Sequence, residues 1–202
     1  MFKNINKVVQ ILVTIDFFVN GAFGSFGPVF AVFITSQISS GSLSVAGFAA
    51  SAYWITKSII QLPIAHFLDK TDGERDEFWA LFLGYIFSAF VPIMYIFATK
   101  PWHLYLIQAF LGVCMAFAVP AWYSIFTRHV DKERIGFEWS LQSVFAVGLT
   151  TAIAAAVGGV LADKFGFKIL FLMAGIVILI SSIFLWRLRK NLWSKTINHE
   201  TA

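Results

Sequence analysis

The 202-residue sequence predicts an all-α membrane protein with six transmembrane helices, arranged as two inverted three-helix repeats. Three observations lead there. Hydrophobic residues make up 58% of the chain and charged residues 13%, against about 25% charged in an ordinary soluble domain. The apolar residues fall into six runs, each near or above the roughly 20 residues needed to cross a bilayer core. A stretch reading GVLADKFGFK at 159–168 has a looser echo at 65–75.

The runs lie at about 8–35, 43–68, 78–98, 103–127, 137–161 and 168–188. They lack period-two alternation and are twice the length of a barrel strand, which excludes transmembrane strands. The first run is too long for a signal-peptide core, lacks a small-residue cleavage site and contains Asp16, so it is expected to stay as a helix. Residues 1–202 read as one six-helix domain, with a first repeat at about 8–98, a second at about 103–188 and a short polar tail at 189–202. With a cytoplasmic N-terminus, Lys3, Lys7, Lys70, Arg75, Arg128, Lys132, Arg134, Arg187, Arg189, Lys190 and Lys195 fall inside. Only Lys100, Lys164 and Lys168 fall outside, a bias that puts both termini and the tail in the cytoplasm of an inner membrane. Trp79, Trp102, Trp139 and Trp186 sit at run ends, as interfacial anchors do.

The repeat rests on two turns. In each, an apolar run ends in Asp-Lys and a glycine follows: Asp69, Lys70, Gly73 and Arg75 in the first, Asp163, Lys164 and Gly166 in the second. Gly159 precedes the second turn and Ala65 the first; a small residue there is expected to let two helices approach closely, and the Asp to sit near the next helix N-terminus. Asp69 and Asp163 are 94 positions apart, and Pro28 and Pro120 are 92 apart. Three helices per copy means that the copies cross the membrane in opposite senses. Inverted repeats of this kind are a transporter architecture, with the site near the midplane.

Enzymatic chemistry finds no support. The chain has no nucleophile elbow, zinc-protease helix or phosphate loop; Cys114 is a lone cysteine inside an apolar run, and His66, His103, His129 and His199 lie at run ends or in polar segments. No metal or cofactor is expected, and the net charge of +4 reflects cations at run ends, not a nucleic-acid surface. What stands out is charge inside the runs. Asp16 and Lys57 fall within about 5 Å of each other in depth at 1.5 Å per residue, so they can pair. Burying either alone costs at least a few kcal/mol, so each is expected to face the bundle interior. Asn20 and Gly24 continue the Asp16 face, and Tyr53 and Gln61 flank Lys57 at helical spacing. Repeat correspondence maps Asp16 onto Gln108, and Gln142 with Thr150 adds a polar face on the fifth helix. The expected ion- or proton-coupling pair is Asp16 and Lys57; the expected cavity residues are Asn20, Tyr53, Gln61, Gln108 and Gln142. Trp54 and Trp122 are the aromatic residues that would face it. The competing reading of the pair is a strut between two helices.

Residues 51–70, from Ser51 and Tyr53 through Pro63 to Asp69-Lys70, resemble the second helix of the major facilitator superfamily running into its cytoplasmic motif A. Residues 158–171, from Gly158-Gly159 through Asp163, Gly166 and Lys168, are similar to the end of its fifth helix and the start of its sixth. Two positions depart. Gln108 precedes Gly112 where the family often carries an arginine tied to proton coupling, and Ala154-Ala155 stand where its antiporters carry Gly-Pro. The resemblance implies one half of a facilitator-type transporter, with the two Asp-Lys-Gly turns as its conformational switch. A homodimer in the lipid bilayer would then move a small-molecule substrate by alternating access, with proton coupling. The competing class is a six-helix scaffold or assembly partner without transport.

Overall fold

The computed structural model describes residues 5–70 and 73–192; Lys3, Lys195, His199 and the tail beyond residue 192 lie outside them. Every regular element among the described residues is helical. The chain enters α1 (Lys7–Phe26) through Asn6, whose side chain accepts the Val8 N–H at 2.9 Å. Pro28 interrupts the ladder just after Gly27, since proline has no N–H to donate, and α2 (Phe30–Gln37) completes the first span. Ser42 caps α3 (Leu43–Asp69), the second span, accepting from the Val45 N–H. Pro92 has no donor for the Ser88 carbonyl, and there α4 (Arg75–Ser88) gives way to α5 (Phe90–Ile96) within the third span. The fourth span is α6 (Pro101–His129), opened by a proline in its first turn.

From Ile135 to Lys190 the backbone is helical except at Gly166: α7 (Ile135–Leu141), a π-helical stretch (Gln142–Leu149), α8 (Thr150–Phe184) and a 3₁₀ turn (Leu185–Lys190). A straight helix of 56 residues would be about 84 Å long, nearly three bilayer cores. The chain instead reverses at Gly166, whose φ of 80° and ψ of 167° only glycine adopts without strain. Among the described residues five apolar helices thus make six spans, as the runs predict. Residues 189–190, expected in the tail, still belong to the 3₁₀ turn, and the neighbouring Leu188 is buried.

The partners of each span follow from close contacts. The fifth span runs parallel to α1: Gln142 meets Asp16, Thr150 bonds the Phe17 carbonyl, and Gly158 packs on Ser25. In the same way α3 runs parallel to α6, with Phe48 near Tyr105 and Gly112 seated on Thr56. Phenylalanine fills the interior at both ends. One core gathers Leu12, Phe78, Trp122 and Phe126; the other gathers Phe26, Phe33, Tyr95 and Phe171. Burying these rings stabilises the bundle through dispersion and ring packing, since lipid already solvates apolar surface. The exception is α3, which buries only Val45, Ala49 and Leu68 and leaves Trp54, Ile59 and Leu62 exposed.

Candidate functional site

A cavity of about 340 Å³ lies between α1, α3, α6 and the π-helical stretch, with Tyr85 of α4 at its wall. Asp16 projects into it from α1, only 6% exposed. Tyr85 Oη donates to Asp16 Oδ1 at 2.7 Å, and Gln142 Nε2 donates to Oδ2 at 2.6 Å. Each oxygen therefore holds a donor, the form in which a buried carboxylate is tolerated; such charge-assisted bonds are worth about 1.5–3 kcal/mol each. Gln142 reaches Asp16 because it opens the π-helical stretch, whose wider turns re-aim side chains against α1. Thr150, at the far end of that stretch, points the same way and donates to the Phe17 carbonyl at 3.1 Å.

Lys57 reaches the cavity from α3, and its Nζ lies 4.9 Å above the Trp54 ring and 5.8 Å above Tyr53. Among the described residues no ion pair joins Lys57 to Asp16. Equal depth brought the two into one cavity. It did not bring them into contact, because Tyr85 and Gln142 occupy the carboxylate and two aromatic rings hold the ammonium. Asn20, Tyr53 and Gln142 line the cavity; Gln61 and Gln108 are half-buried but lie outside it. Each is on a suitable helix, Gln61 one turn past Lys57 and Gln108 about one turn before Leu111, the first residue of α6 to face the space. Trp122 lines the cavity, whereas Trp54 serves as the platform under Lys57. Gly24, expected on the polar face, packs against Thr151 instead.

At the turns, Gly73 takes a φ of 90° and Gly166 a φ of 80°, the reversals that glycine was expected to permit. Asp69, Lys70, Arg75, Asp163 and Lys164 are all exposed. Neither Asp69 nor Asp163 makes a hydrogen bond or ion pair among the described residues; the first turn of α4 carries Asp76 and Glu77 of its own. The close approach expected at Gly159 falls one residue earlier. A Cβ on Gly159 would meet nothing within 4 Å, whereas one on Gly158 would overlap the Ser25 backbone.

A buried charged cluster near the first turn escaped the sequence reading. Glu77, fully buried, receives Arg128 Nη1 at 2.6 Å, and the same guanidinium donates to the Gly73 carbonyl at 3.3 Å. Beside it, Glu74 and His129 lie 3.3 Å apart, and Glu138 accepts the Asp131 N–H at 3.3 Å. These residues stand at the ends of the third, fourth and fifth runs, where charge ordinarily signals a loop. The available signal was complementarity, a Glu opening one run and an Arg closing the next.

The chain is a helical bundle with membrane-length apolar helices around a polar cavity that holds two ionisable side chains, Asp16 and Lys57. The Major Facilitator Superfamily profile matches residues 12–202, and the chain belongs to that family. Among solved structures that match is the in meso crystal structure of the POT family transporter PepTSo, with a TM-score of 0.73 and 13% sequence identity. The match covers 92% of this chain and 38% of that one, so the likeness is one of fold over well under half of that transporter's length. No curated protein matches.

Proposed function

We propose that the chain forms one six-helix half of a secondary-active transporter, which carries a small solute across the cytoplasmic membrane by alternating access. The observation that carries this reading is the cavity itself. Tyr123 and Val147, both lining it, remain 50% and 42% exposed, so one side has no wall within the described residues. A cavity holding Asp16 and Lys57 cannot face lipid without a cost of at least a few kcal/mol per charge. A second copy of this chain supplies the opposing wall, related by a two-fold axis along the membrane normal. The exposed faces of α3 and of Val144, Phe145 and Ile153 are the surfaces it covers.

Packing supports the inverted repeat. Swapping the first span with the fourth and the second with the fifth exchanges the two parallel pairs described above. The same detail recurs in both: Gly21 faces Thr150, and Gly112 faces Thr56. Rocking of one copy against the other is permitted at the turns around Gly73 and Gly166, with Asp69, Lys70, Arg75, Gly159, Asp163 and Lys164 as the switch surface. Asp16 is the proton-coupling carboxylate: taking a proton removes the charge that strengthens its bonds from Tyr85 and Gln142, which ties protonation to the contacts between the first, third and fifth spans. The test is water access. In a Cys114→Ala background, Tyr123→Cys should react with impermeant reagents from either side of the membrane. Protection from both sides would overturn the transport reading, and full flux from a strictly monomeric species in nanodiscs would overturn the two-fold assembly.

A further inference from the structure

We propose that the cavity selects a small organic anion, a carboxylate on an apolar and preferably aromatic body, with Lys57 as its counter-charge. This rests on the transport reading of the same cavity. Of the two charged groups lining the space, Lys57 is the more accessible. Asp16 is 6% exposed and each of its oxygens already accepts a bond, from Tyr85 and from Gln142, so a cationic solute would have to compete with both for the carboxylate. Lys57 is partly exposed, and among the described residues it has aromatic rings for partners and no acid.

An ammonium over two rings is well held while water completes its shell. Once the cavity is occluded that water is lost, and an anionic group on the solute replaces it with a charge-assisted hydrogen bond. Each copy brings one such ammonium to the space, and a neutral or cationic solute would leave it uncompensated once water is lost. The rest of the lining sets the body: Phe23, Leu111, Met115, Val119 and Trp122 present apolar surface, and the Asn20 amide adds a neutral donor. Tyr53, beside the ammonium, and Trp122 put aromatic rings into the lining, against which a planar solute packs.

The experiment is calorimetric titration of the detergent-purified full chain at pH 7 with three matched probes: benzoate, benzyl alcohol and benzylamine. Benzoate should bind at least about tenfold more tightly than the other two, the factor expected of one hydrogen bond to a charged group. Lys57→Gln should reduce benzoate affinity by a similar factor while Lys57→Arg largely retains it, which separates loss of charge from loss of fold. Equal affinity for benzoate and benzylamine, benzoate binding unchanged in Lys57→Gln, or no saturable benzoate binding at all would each overturn the proposal. An acid from the opposing half paired with Lys57 would produce the second of these. Two-sided labelling of Tyr123→Cys reports on the transport reading separately, so a failed titration with intact labelling removes the anion and leaves the transporter.

Discussion

Gly158 and Gly159 are neighbours in sequence and opposites in packing, and alanine at each tests the seam between the first and fifth spans. A Cβ on Gly158 would lie 2.5 Å from the Ser25 carbonyl carbon and 2.8 Å from its Cα, and would overlap the carbonyl oxygen. Carbon atoms in contact sit about 3.5–4.0 Å apart, so α1 and the fifth span must part by about 1 Å. Every obstructing atom is backbone, with no rotamer to move away. The cost should therefore reach the upper end of the 1–3 kcal/mol typical of overpacking, about 3 kcal/mol. For a chain of this size that lowers the unfolding midpoint by about 6–12 °C. Gly159 has open space, so Gly159→Ala meets no obstacle and gains helix propensity of about 1 kcal/mol. The assay is thermal unfolding of both variants in the same detergent, read by intrinsic fluorescence. A Gly158→Ala protein melting with the wild type, or a Gly159→Ala protein melting well below it, would refute the seam.

Arg128→Ala should destabilise by about 3 kcal/mol, the lower end of the range for a broken buried pair because its side chain keeps 33% exposure, and Glu77→Gln in the same protein should recover most of the loss. In proteoliposomes, Asp16→Asn should abolish accumulation driven by a pH gradient while solute exchange continues; unchanged gradient-driven accumulation would end the coupling role. For topology, single cysteines replacing Lys132 and Lys164 in a Cys114→Ala background should label from the cytoplasmic and the opposite side respectively. Labelling of Lys164→Cys from the cytoplasm alone would reverse the orientation argued from the lysine and arginine distribution.

The class and the number of spans were legible because they depend on quantities a linear chain displays. Backbone groups in lipid must bond within the helix, so run length alone predicts a span, and Gly73 and Gly166 mark reversals because glycine tolerates φ near 80–90°. Asp16, Asn20, Tyr53, Lys57 and Gln142 stood out for a related reason: a polar side chain inside an apolar run is expensive to expose to lipid, so it points inward. Beyond that, spacing along one helix says which residues share a face, and says nothing of what that face meets. Tyr85, on a third helix, took the Asp16 oxygen that Lys57 was expected to share. Gly158 rather than Gly159 became the point of contact, a difference of about 100° around the helix axis, and Glu77 was buried against Arg128 across 51 positions of sequence. Rotation and neighbour are set when backbones approach to van der Waals distance. That choice depends on all six spans at once, and only the folded bundle makes it.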